Sequence, residues 1–354
     1  MKYGYFDDDK REYVITTPET PLPWINYLGS EEFFGLISNT GGGYCFYRDA
    51  RLRRLIRFRY NQTGGDVGGR FFYVKEKDAP AWSPGFLPCK VMPDFYECRH
   101  GMGYTILSAE KNALSVSVTQ TIPLGENCEL SLVRLKNKGT SRKELSFYAA
   151  VEWCLWDAVD DAQNYQRNLS IGEVEIEPGV IYHKTEYRER RDHYAFYGIN
   201  VPTDGYDTDR ESFTGRFGGW EDPVCVRENT NRNSKARGWY PIACHRKDLS
   251  LEPGEEFSLV LVLGYAENPR DRKFIAPNVI RKDDAAGLIR KFSSPEAVEA
   301  ALAELKDYWE DLLSRYSVQT GDDRLNRMVN TWNQYQCMVT FNMSRSASYY
   351  ETGT

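Results

Sequence analysis

The residues best suited to chemistry in this sequence form a polar run, Asp157–Asn168, which directly follows the mostly apolar segment Val151–Trp156. The run carries carboxylates, amides and an arginine, and such groups hydrogen-bond sugar hydroxyls and other polar ligands. A polar run after an apolar strand predicts a protruding loop, and loops on a rigid scaffold often hold binding residues. The same composition is typical of a solvated connection, so both interpretations stay open at this point.

Two further segments combine aromatic or charged groups with small polar residues. Trp24 and Tyr27 lie in Pro21–Ser30, and flat aromatic rings stack on the C–H faces of sugars, although tryptophan more often lies in a core. Near the other end, Arg345 and Glu351 follow a predicted helix. They indicate either the rim of an active site or a frayed terminus.

A glycine-rich segment, Thr40–Tyr47, leads into a basic run, Arg48–Arg59. Backbone N–H groups of glycine-rich loops can contact phosphate, but no Gly-Lys-Ser/Thr follows, so the segment is not a P-loop. The run contains six arginines. For four of them, Arg51, Arg53, Arg57 and Arg59, alternation predicts the solvated or interface face of a strand. No Gly-x-Ser-x-Gly elbow occurs, and a carboxylate pair for glycoside chemistry meets only in the fold, so these motifs assign no catalytic set.

The composition argues against several classes of protein. The 354 residues carry a net charge of -6, whereas a nucleic-acid binder needs a basic face. No segment approaches the ~20 apolar residues that span a bilayer, and the polar start at Met1–Asp9 predicts no signal peptide, so we expect a cytoplasmic protein. The 8 cysteines form no CxxC pair and the 4 histidines lack ligand spacing, which predicts buried thiols and no metal site.

The elements that must position these residues are strands first and helices second. Up to about Glu267, short alternating apolar runs recur between Gly, Asn, Asp and Pro turns. In Leu114–Ile122 the inward face is expected to hold Leu114, Val116 and Val118. Many such runs without helical periods between them predict a mostly β fold, a large antiparallel β-sandwich, followed by helices.

Helical periodicity follows the strands. Asp283–Lys291 predicts a short helix, and Ser294 and Pro295 are typical of the cap and first position of a longer one. A further helix is predicted to start after Thr320–Asp323 and to end near Arg345. Its inward stripe is formed by Leu325, Met328, Val329, Trp332, Tyr335, Val339 and Asn342. One helical hairpin cannot bury two apolar faces alone, so we expect it to pack on the sandwich or on further helices.

Several longer motifs occur in order along the chain: Tyr3–Asp8, Glu12–Pro18, Pro23–Gly29, Gly42–Ala50, Arg57–Tyr60, Gln163–Ser170 and Asn342–Tyr349. Their order resembles the cellobiose phosphorylases of glycoside hydrolase family 94, over the whole chain. The resemblance implies a β-sandwich at 1–267, a helical linker at 268–318 and, at 319–354, the first helix of a truncated (α/α)6 catalytic barrel. It also implies a longer parent protein whose general-acid Asp lies beyond Thr354, so we expect no catalytic residue here and no activity from the chain alone.

The resemblance further implies a reaction in which cellobiose and phosphate give α-glucose 1-phosphate and glucose with inversion. Inorganic phosphate is then the co-substrate, and no metal or cofactor is needed. The resemblance also implies a homodimer in which the loop carrying Gln166 and Arg167 closes the acceptor side of the other subunit's active site, with Tyr165 a weaker candidate for stacking there. Two alternatives stay open: a stand-alone carbohydrate-binding or dimerisation sandwich, and a related phosphorylase for cellodextrins, laminaribiose or chitobiose.

Overall fold

Two large β-sheets occupy most of the chain, as the alternating patterns predict. The structure is a computed structural model that describes residues 2–29, 31–58, 68–163, 172–185, 192–238 and 240–344. Its strands are β1 (Gly4–Asp7), β2 (Glu12–Ile15), β3 (Ile25–Leu28), β4 (Phe33–Ser38), β5 (Gly43–Tyr47), β6 (Arg54–Ile56), β7 (Arg70–Glu76), β8 (Phe95–His100), β9 (Tyr104–Lys111), β10 (Leu114–Thr121), β11 (Cys128–Asn137), β12 (Lys143–Trp156), β13 (Gly172–Glu177), β14 (Val180–Thr185), β15 (His193–Ile199), β16 (Gly205–Asp209), β17 (Arg237–Gly238), β18 (Pro241–Leu251), β19 (Glu256–Glu267), β20 (Phe274–Ala276) and β21 (Val279–Ile280).

The order of the strands shows how the sandwich is connected. Among the described residues, one sheet has 11 strands in the order β1-β2-β8-β9-β10-β11-β19-β15-β14-β13-β17. The second has 8 strands, β16-β18-β12-β6-β5-β4-β3, with β7 also paired to β12, and β20 and β21 form a separate hairpin. The pairings in both large sheets are antiparallel, which confirms the predicted fold class.

The main core lies between the two sheets. Leu114, Val116 and Val118 are at most 1% exposed, which confirms the predicted inward face of β10. They belong to the same apolar cluster as Phe147 and Val151 of β12, in the other sheet. The cysteines are free thiols, and six of them are buried in agreement with the prediction. Burial of these two apolar faces against each other is the main driving force for the fold.

Helices follow the strands and interrupt them in two places. The described helices are α1 (Ala158–Gln163), α2 (Arg210–Thr214), α3 (Val224–Arg227), α4 (Asp283–Lys291), α5 (Pro295–Ser314), α6 (Asp323–Arg327) and α7 (Asn333–Ser344). α4 has the predicted bounds, and the Ser294 hydroxyl caps α5 by accepting a hydrogen bond from the Ala297 N–H at 3.3 Å. None of these described helices is long and apolar enough to cross a membrane.

The last predicted helix is divided into two. A π-helical turn, Met328–Trp332, separates α6 from α7. Leu325 and Met328 are 49% and 38% exposed, so the predicted inward stripe is wrong at these two positions. The stripe assumed a constant 3.6-residue period, and a π turn shifts the positions on either side of it relative to each other. The members that are buried are Trp332, Tyr335 and Val339.

The helical hairpin packs on the sandwich, which is one of the two expected arrangements. Tyr335 of α7 is fully buried, and its hydroxyl accepts a hydrogen bond from the Gly103 N–H and donates to Asn26 Oδ1, both at 3.0 Å. Leu305 and Trp309 of α5 belong to the same apolar cluster. Both helices are therefore held against the turn between β8 and β9.

Candidate functional site at the root of helix α1

Helix α1 begins directly where the longest strand, β12, ends. The junction is Trp156, whose φ of 72° lies in the left-handed region that bulky residues rarely adopt. The Asp157 carboxylate then caps α1 by accepting hydrogen bonds from the N–H groups of Val159 at 2.9 Å and Asp160 at 3.1 Å. The sharp turn and the cap fix the direction in which the chain leaves the sheet.

A buried arginine holds the next turn of α1. Arg57 Nε and Nη2 donate to the two carboxylate oxygens of Asp161 at 2.5 and 2.6 Å, and its Nη1 donates to Glu152 Oε1 at 2.6 Å. The three side chains are 4%, 3% and 9% exposed, respectively. Burial alone would lower the pKa of Arg57, but the two carboxylates outweigh it and raise the pKa above its ordinary value. Arg57, Glu152 and Asp161, here the Arg57 cluster, therefore form a charged and fully paired group.

A second layer of contacts fixes Glu152. The indole Nε1 of Trp220 donates to Glu152 Oε2 at 3.2 Å, and Arg210 of α2 approaches Glu152 Oε1 at 3.6 Å. Trp220 is itself stacked on Phe71 of β7 with 4.0 Å between ring centroids. The cluster thus links α1 to β12, β7 and α2, and these contacts restrict the conformations of its charged side chains.

Aromatic and histidine rings pack around the same junction. The His183 ring of β14 is stacked on Trp153 and Trp156, with centroid distances of 5.3 and 5.8 Å. Burial lowers the pKa of His183 to about 3, so its ring is neutral at pH 7. Neither ring nitrogen has a hydrogen-bond partner among the described residues, and the same holds for the indole nitrogens of Trp153 and Trp156. The ring therefore contributes packing to the junction.

Tyr47 and Tyr265 extend this aromatic packing toward the run of arginines. The two tyrosine rings are stacked at 4.4 Å, and Trp156 meets Tyr265 edge-on at 5.9 Å. Arg53 Nε donates to the Tyr265 hydroxyl at 3.1 Å. The glycine-rich segment and the basic run thus lie beside the start of α1.

The predicted strand face of exposed arginines is wrong at Arg57. Its side chain is buried because two acids, one on β12 and one on α1, lie opposite it. Arg51 and Arg53 keep 53% and 39% of their side chains exposed, but both lie in the turn before β6 and not on the strand itself. Arg59 lies outside the described residues.

The expectation of a protruding polar loop after β12 is wrong in its first part. Residues 158–163 form α1, and Asp161 is 3% exposed. The reason is Arg57, directly after strand β6, which sequence reasoning did not pair with this run. A signal was available in Glu152: a carboxylate inside a buried strand requires a cation close by.

The predicted sugar-binding residues, Tyr165, Gln166 and Arg167, lie outside the described residues, as do Arg345 and Glu351. Their roles stay predictions. Trp24 and Tyr27 are half-buried. Trp24 packs against Tyr3 and Tyr13, and Tyr27 packs against the apolar cluster that contains Trp309 and Tyr335, so both side chains take part in internal packing.

The geometry of the Arg57 cluster is suited to holding α1 in place and not to proton transfer. Arg57 occupies both carboxylates, so neither has an oxygen pair open for a reacting group. Within the described ranges, no group of three His, Cys, Asp or Glu side chains is arranged to hold a metal ion. The site is a rigid support for α1.

Comparison with known proteins assigns the family. Residues 11–295 match the family described as glycosyl hydrolase 94, supersandwich domain, and residues 308–354 match the glycosyl hydrolase 94 superfamily, catalytic domain. The chain is 31% identical over 358 residues to an N,N'-diacetylchitobiose phosphorylase of Vibrio furnissii, covering 100% of this chain and 43% of that protein. It is 27% identical over 349 residues to a 3-O-beta-D-glucopyranosyl-beta-D-glucuronide phosphorylase of Paenibacillus borealis, covering 98% and 42%.

A third relative, a solabiose phosphorylase of Paenibacillus borealis, is 25% identical over 354 residues, covering 97% of this chain and 43% of that protein. The chain therefore spans less than half the length of each of these relatives. The supersandwich match alone covers most of the chain, and it coincides with the antiparallel sheets. On this evidence the chain belongs to the glycosyl hydrolase 94 family.

Proposed function

We propose that this chain is the N-terminal part of an inverting disaccharide phosphorylase. The observation that carries the proposal is the pair of consecutive matches, to the supersandwich and then to the catalytic domain of one family. It is supported by three relatives, each named a phosphorylase, that align along nearly all of the chain.

The proposed reaction needs one carboxylic acid and a bound phosphate. The acid protonates the glycosidic oxygen while phosphate attacks the anomeric carbon from the opposite face, which inverts that carbon. The bond to the departing sugar breaks, and a sugar 1-phosphate forms. Phosphate replaces the activated water of an inverting hydrolase, so no second catalytic carboxylate, metal or cofactor is required. The acid is proposed to lie beyond Thr354, and the chain alone is proposed to be inactive.

The substrate is proposed as a β-linked disaccharide, with cellobiose the first to test. The relatives act, by their names, on diacetylchitobiose, a glucosyl-glucuronide and solabiose, so the substrate differs among them. In the proposed homodimer, Gln166 and Arg167 hydrogen-bond the hydroxyls of the departing sugar, with Tyr165 stacking beside them. The half-buried state of Trp24 and Tyr27 gives no support to the alternative of a stand-alone binding module.

The test is an intact mass under denaturing conditions together with a phosphorolysis assay of the same native sample. The polypeptide that carries this chain and a catalytic barrel should convert a disaccharide and phosphate to a sugar 1-phosphate. The panel is cellobiose, laminaribiose, diacetylchitobiose and a glucosyl-glucuronide. A single chain of 40.9 kDa should be inactive. Hydrolysis without consumption of phosphate, or no reaction of the complete polypeptide with any disaccharide, would overturn the proposal.

A further inference from the structure

We propose that a cavity at one edge of the sandwich binds a neutral sugar ring. The cavity has a volume of about 370 Å³ and lies between the turn that joins β13 to β14, in the larger sheet, and the start of β16, in the other sheet. This volume is at the small end of the range for small-molecule sites, about 300–1,000 Å³, which suits a single ring. The side chains that line the cavity carry this inference, so it does not rest on the proposed function.

A buried histidine belongs to the lining. His245 of β18 is 2% exposed, and its ring Nε2 bonds to the Tyr197 carbonyl at 2.9 Å. Because a carbonyl only accepts, Nε2 carries the hydrogen, and burial lowers the pKa of His245 to about 4, which keeps the ring neutral at pH 7. Nδ1 therefore has a lone pair, and this nitrogen has no hydrogen-bond partner among the described residues. Since buried polar atoms are normally paired, Nδ1 points to a ligand that donates a hydrogen bond.

Two exposed side chains in the lining offer further hydrogen-bonding atoms. Asp204 Oδ2 accepts from Lys247 Nζ at 2.9 Å and from the Asp248 N–H at 2.8 Å, whereas its Oδ1 has no hydrogen-bond partner in the described part of the chain. Asn233 Oδ1 accepts from the Tyr206 N–H at 3.2 Å, and its Nδ2 has no partner within the described ranges. Each side chain is held at one atom, so together they leave one acceptor and one donor for a ligand.

Tyr206 supplies an aromatic surface beside these polar groups. It lines the cavity, is half-buried and packs against the main core cluster, which holds its ring in place. It lies directly opposite His245 where β16 pairs with β18, so the two side chains extend from the same face of that sheet. An apolar ring face can pack on the C–H groups of a sugar while nearby polar atoms bond its hydroxyls.

The charges in the lining are balanced, and this decides the class of ligand. Glu177 Oε1 pairs with Lys282 Nζ at 2.6 Å, and Asp204 pairs with Lys247. A cation would compete with these two lysines, and an anion would meet two carboxylates, so neither is favoured. A neutral ring that carries hydroxyls can donate to Nδ1 and to the carboxylates and accept from the Asn233 amide.

Hydrogen exchange of the complete polypeptide, resolved by peptide, tests the proposal during separate titrations with glucose, galactose and N-acetylglucosamine. At least one sugar should slow exchange in peptides covering 174–181, 203–208 and 231–235, with a Kd on the order of 1 mM for a ligand of this size. Peptides of β9 and β10 should not change. No slowing by any of the sugars at about 50-fold that Kd overturns the proposal, as does slowing by inorganic phosphate or spermidine alone. The readout involves no turnover, so it is independent of phosphorolysis.

Variants locate the binding. Tyr206→Leu keeps an apolar side chain against the core but removes the ring face, and Asn233→Ala removes the free amide, so each should raise the Kd about 3- to 10-fold. The matched control is Asn112→Ala in the turn between β9 and β10, because Asn112 and Asn233 are both exposed and have left-handed φ values of 50° and 48°. It should leave the Kd unchanged. Wild-type affinity in both cavity variants, or an equal loss in Asn112→Ala, overturns the proposal.

Discussion

At the scale of single residues, a buried ion pair joins the two sheets. Arg70 begins β7, Glu129 lies in β11, and their side chains are 2% and 1% exposed. Gln120 Nε2 also donates to Glu129, at 3.4 Å. A Cβ atom on Gly43 would lie 2.0 Å from the Leu36 carbonyl oxygen and 3.1 Å from Arg70 Nη1, so the backbone of β4 excludes a side chain at this position beside the guanidinium. The pair connects the sheets through a polar contact inside an apolar core.

Glu129→Gln should lower the free energy of unfolding by about 3–5 kcal/mol, because it leaves the Arg70 charge buried without a counter-ion. Urea denaturation of the chain measures the loss. Glu299→Gln is the control, because it breaks an exposed pair with Arg134 and should have no measurable effect. If Glu129→Gln were as stable as the wild type, the pair would not stabilise the fold and the prediction would be wrong.

Sequence reasoning identified residue types more reliably than residue partners. The buried cysteines were predicted, since free thiols behave as small apolar side chains. The partners of Arg57, Glu152 and Asp161 were not predicted, because their positions are separated by about a hundred residues and meet only through strand pairing. Charge patterns within one segment carry no information about the strand that lies beside it.

At the scale of elements, the hydrophobic periodicity of the sequence predicted strand faces and helix bounds correctly where the strand or helix is regular. The predicted β10 face and the bounds of α4 are confirmed. The π turn before α7 and the short helix α1 were not predicted. The π turn changes the helical repeat locally, which a pattern of constant period does not show. Helix α1 forms because its tertiary contacts outweigh a polar, loop-like composition.

Tyr335→Phe should loosen the helical hairpin from the sandwich. The change leaves the Gly103 N–H and Asn26 Oδ1 without the hydroxyl that now pairs with them, and a buried unpaired group costs about 1–3 kcal/mol. Hydrogen exchange in α7 should rise, while exchange in β10 stays at the wild-type rate. Trp309→Phe is a useful comparison, since it changes the same cluster but breaks no hydrogen bond among the described residues. Slow exchange of α7 in Tyr335→Phe would show that apolar packing alone holds the hairpin.

At the scale of the whole molecule, the sandwich and its order of domains followed from the pattern and the resemblance. The antiparallel sheets and the family are confirmed, whereas the domain bounds 1–267, 268–318 and 319–354 stay predictions. The cytoplasmic location and the homodimer also stay predictions. Topology was not available from periodicity, because an alternating strand does not indicate which strands will flank it.

Acid should destabilise the whole fold through three buried histidines. Burial lowers the pKa of His183 to about 3 and those of His100 and His245 to about 4. An unfolded histidine takes up its proton near pH 6.5, so the unfolded chain binds more protons than the folded one below that pH. The stabilisation is complete above about pH 6.5 and is lost as the pH falls toward 4, by about 1.4 kcal/mol per pH unit for each histidine.

Urea midpoints at pH 7.5, 6.5, 5.5 and 4.5 measure this loss. The slope of the unfolding free energy against pH gives the number of protons taken up on unfolding, and His245→Gln should lower that number by about one. The amide can replace the bond from the ring Nε2 to the Tyr197 carbonyl at 2.9 Å, but it does not titrate. A midpoint that stays constant from pH 6.5 to 5.5 would contradict the prediction.

The place of β19 in the larger sheet has a consequence for synthesis on the ribosome. β19 lies between β11 and β15, so it joins the strands encoded early to those encoded later, yet it is the last strand of that sheet to emerge. Until Glu267 has left the exit tunnel, β11 and β15 each present an unpaired edge to other nascent chains. Slow codons or a bound chaperone would therefore matter most just before β19, and truncations that end ahead of it should aggregate instead of folding.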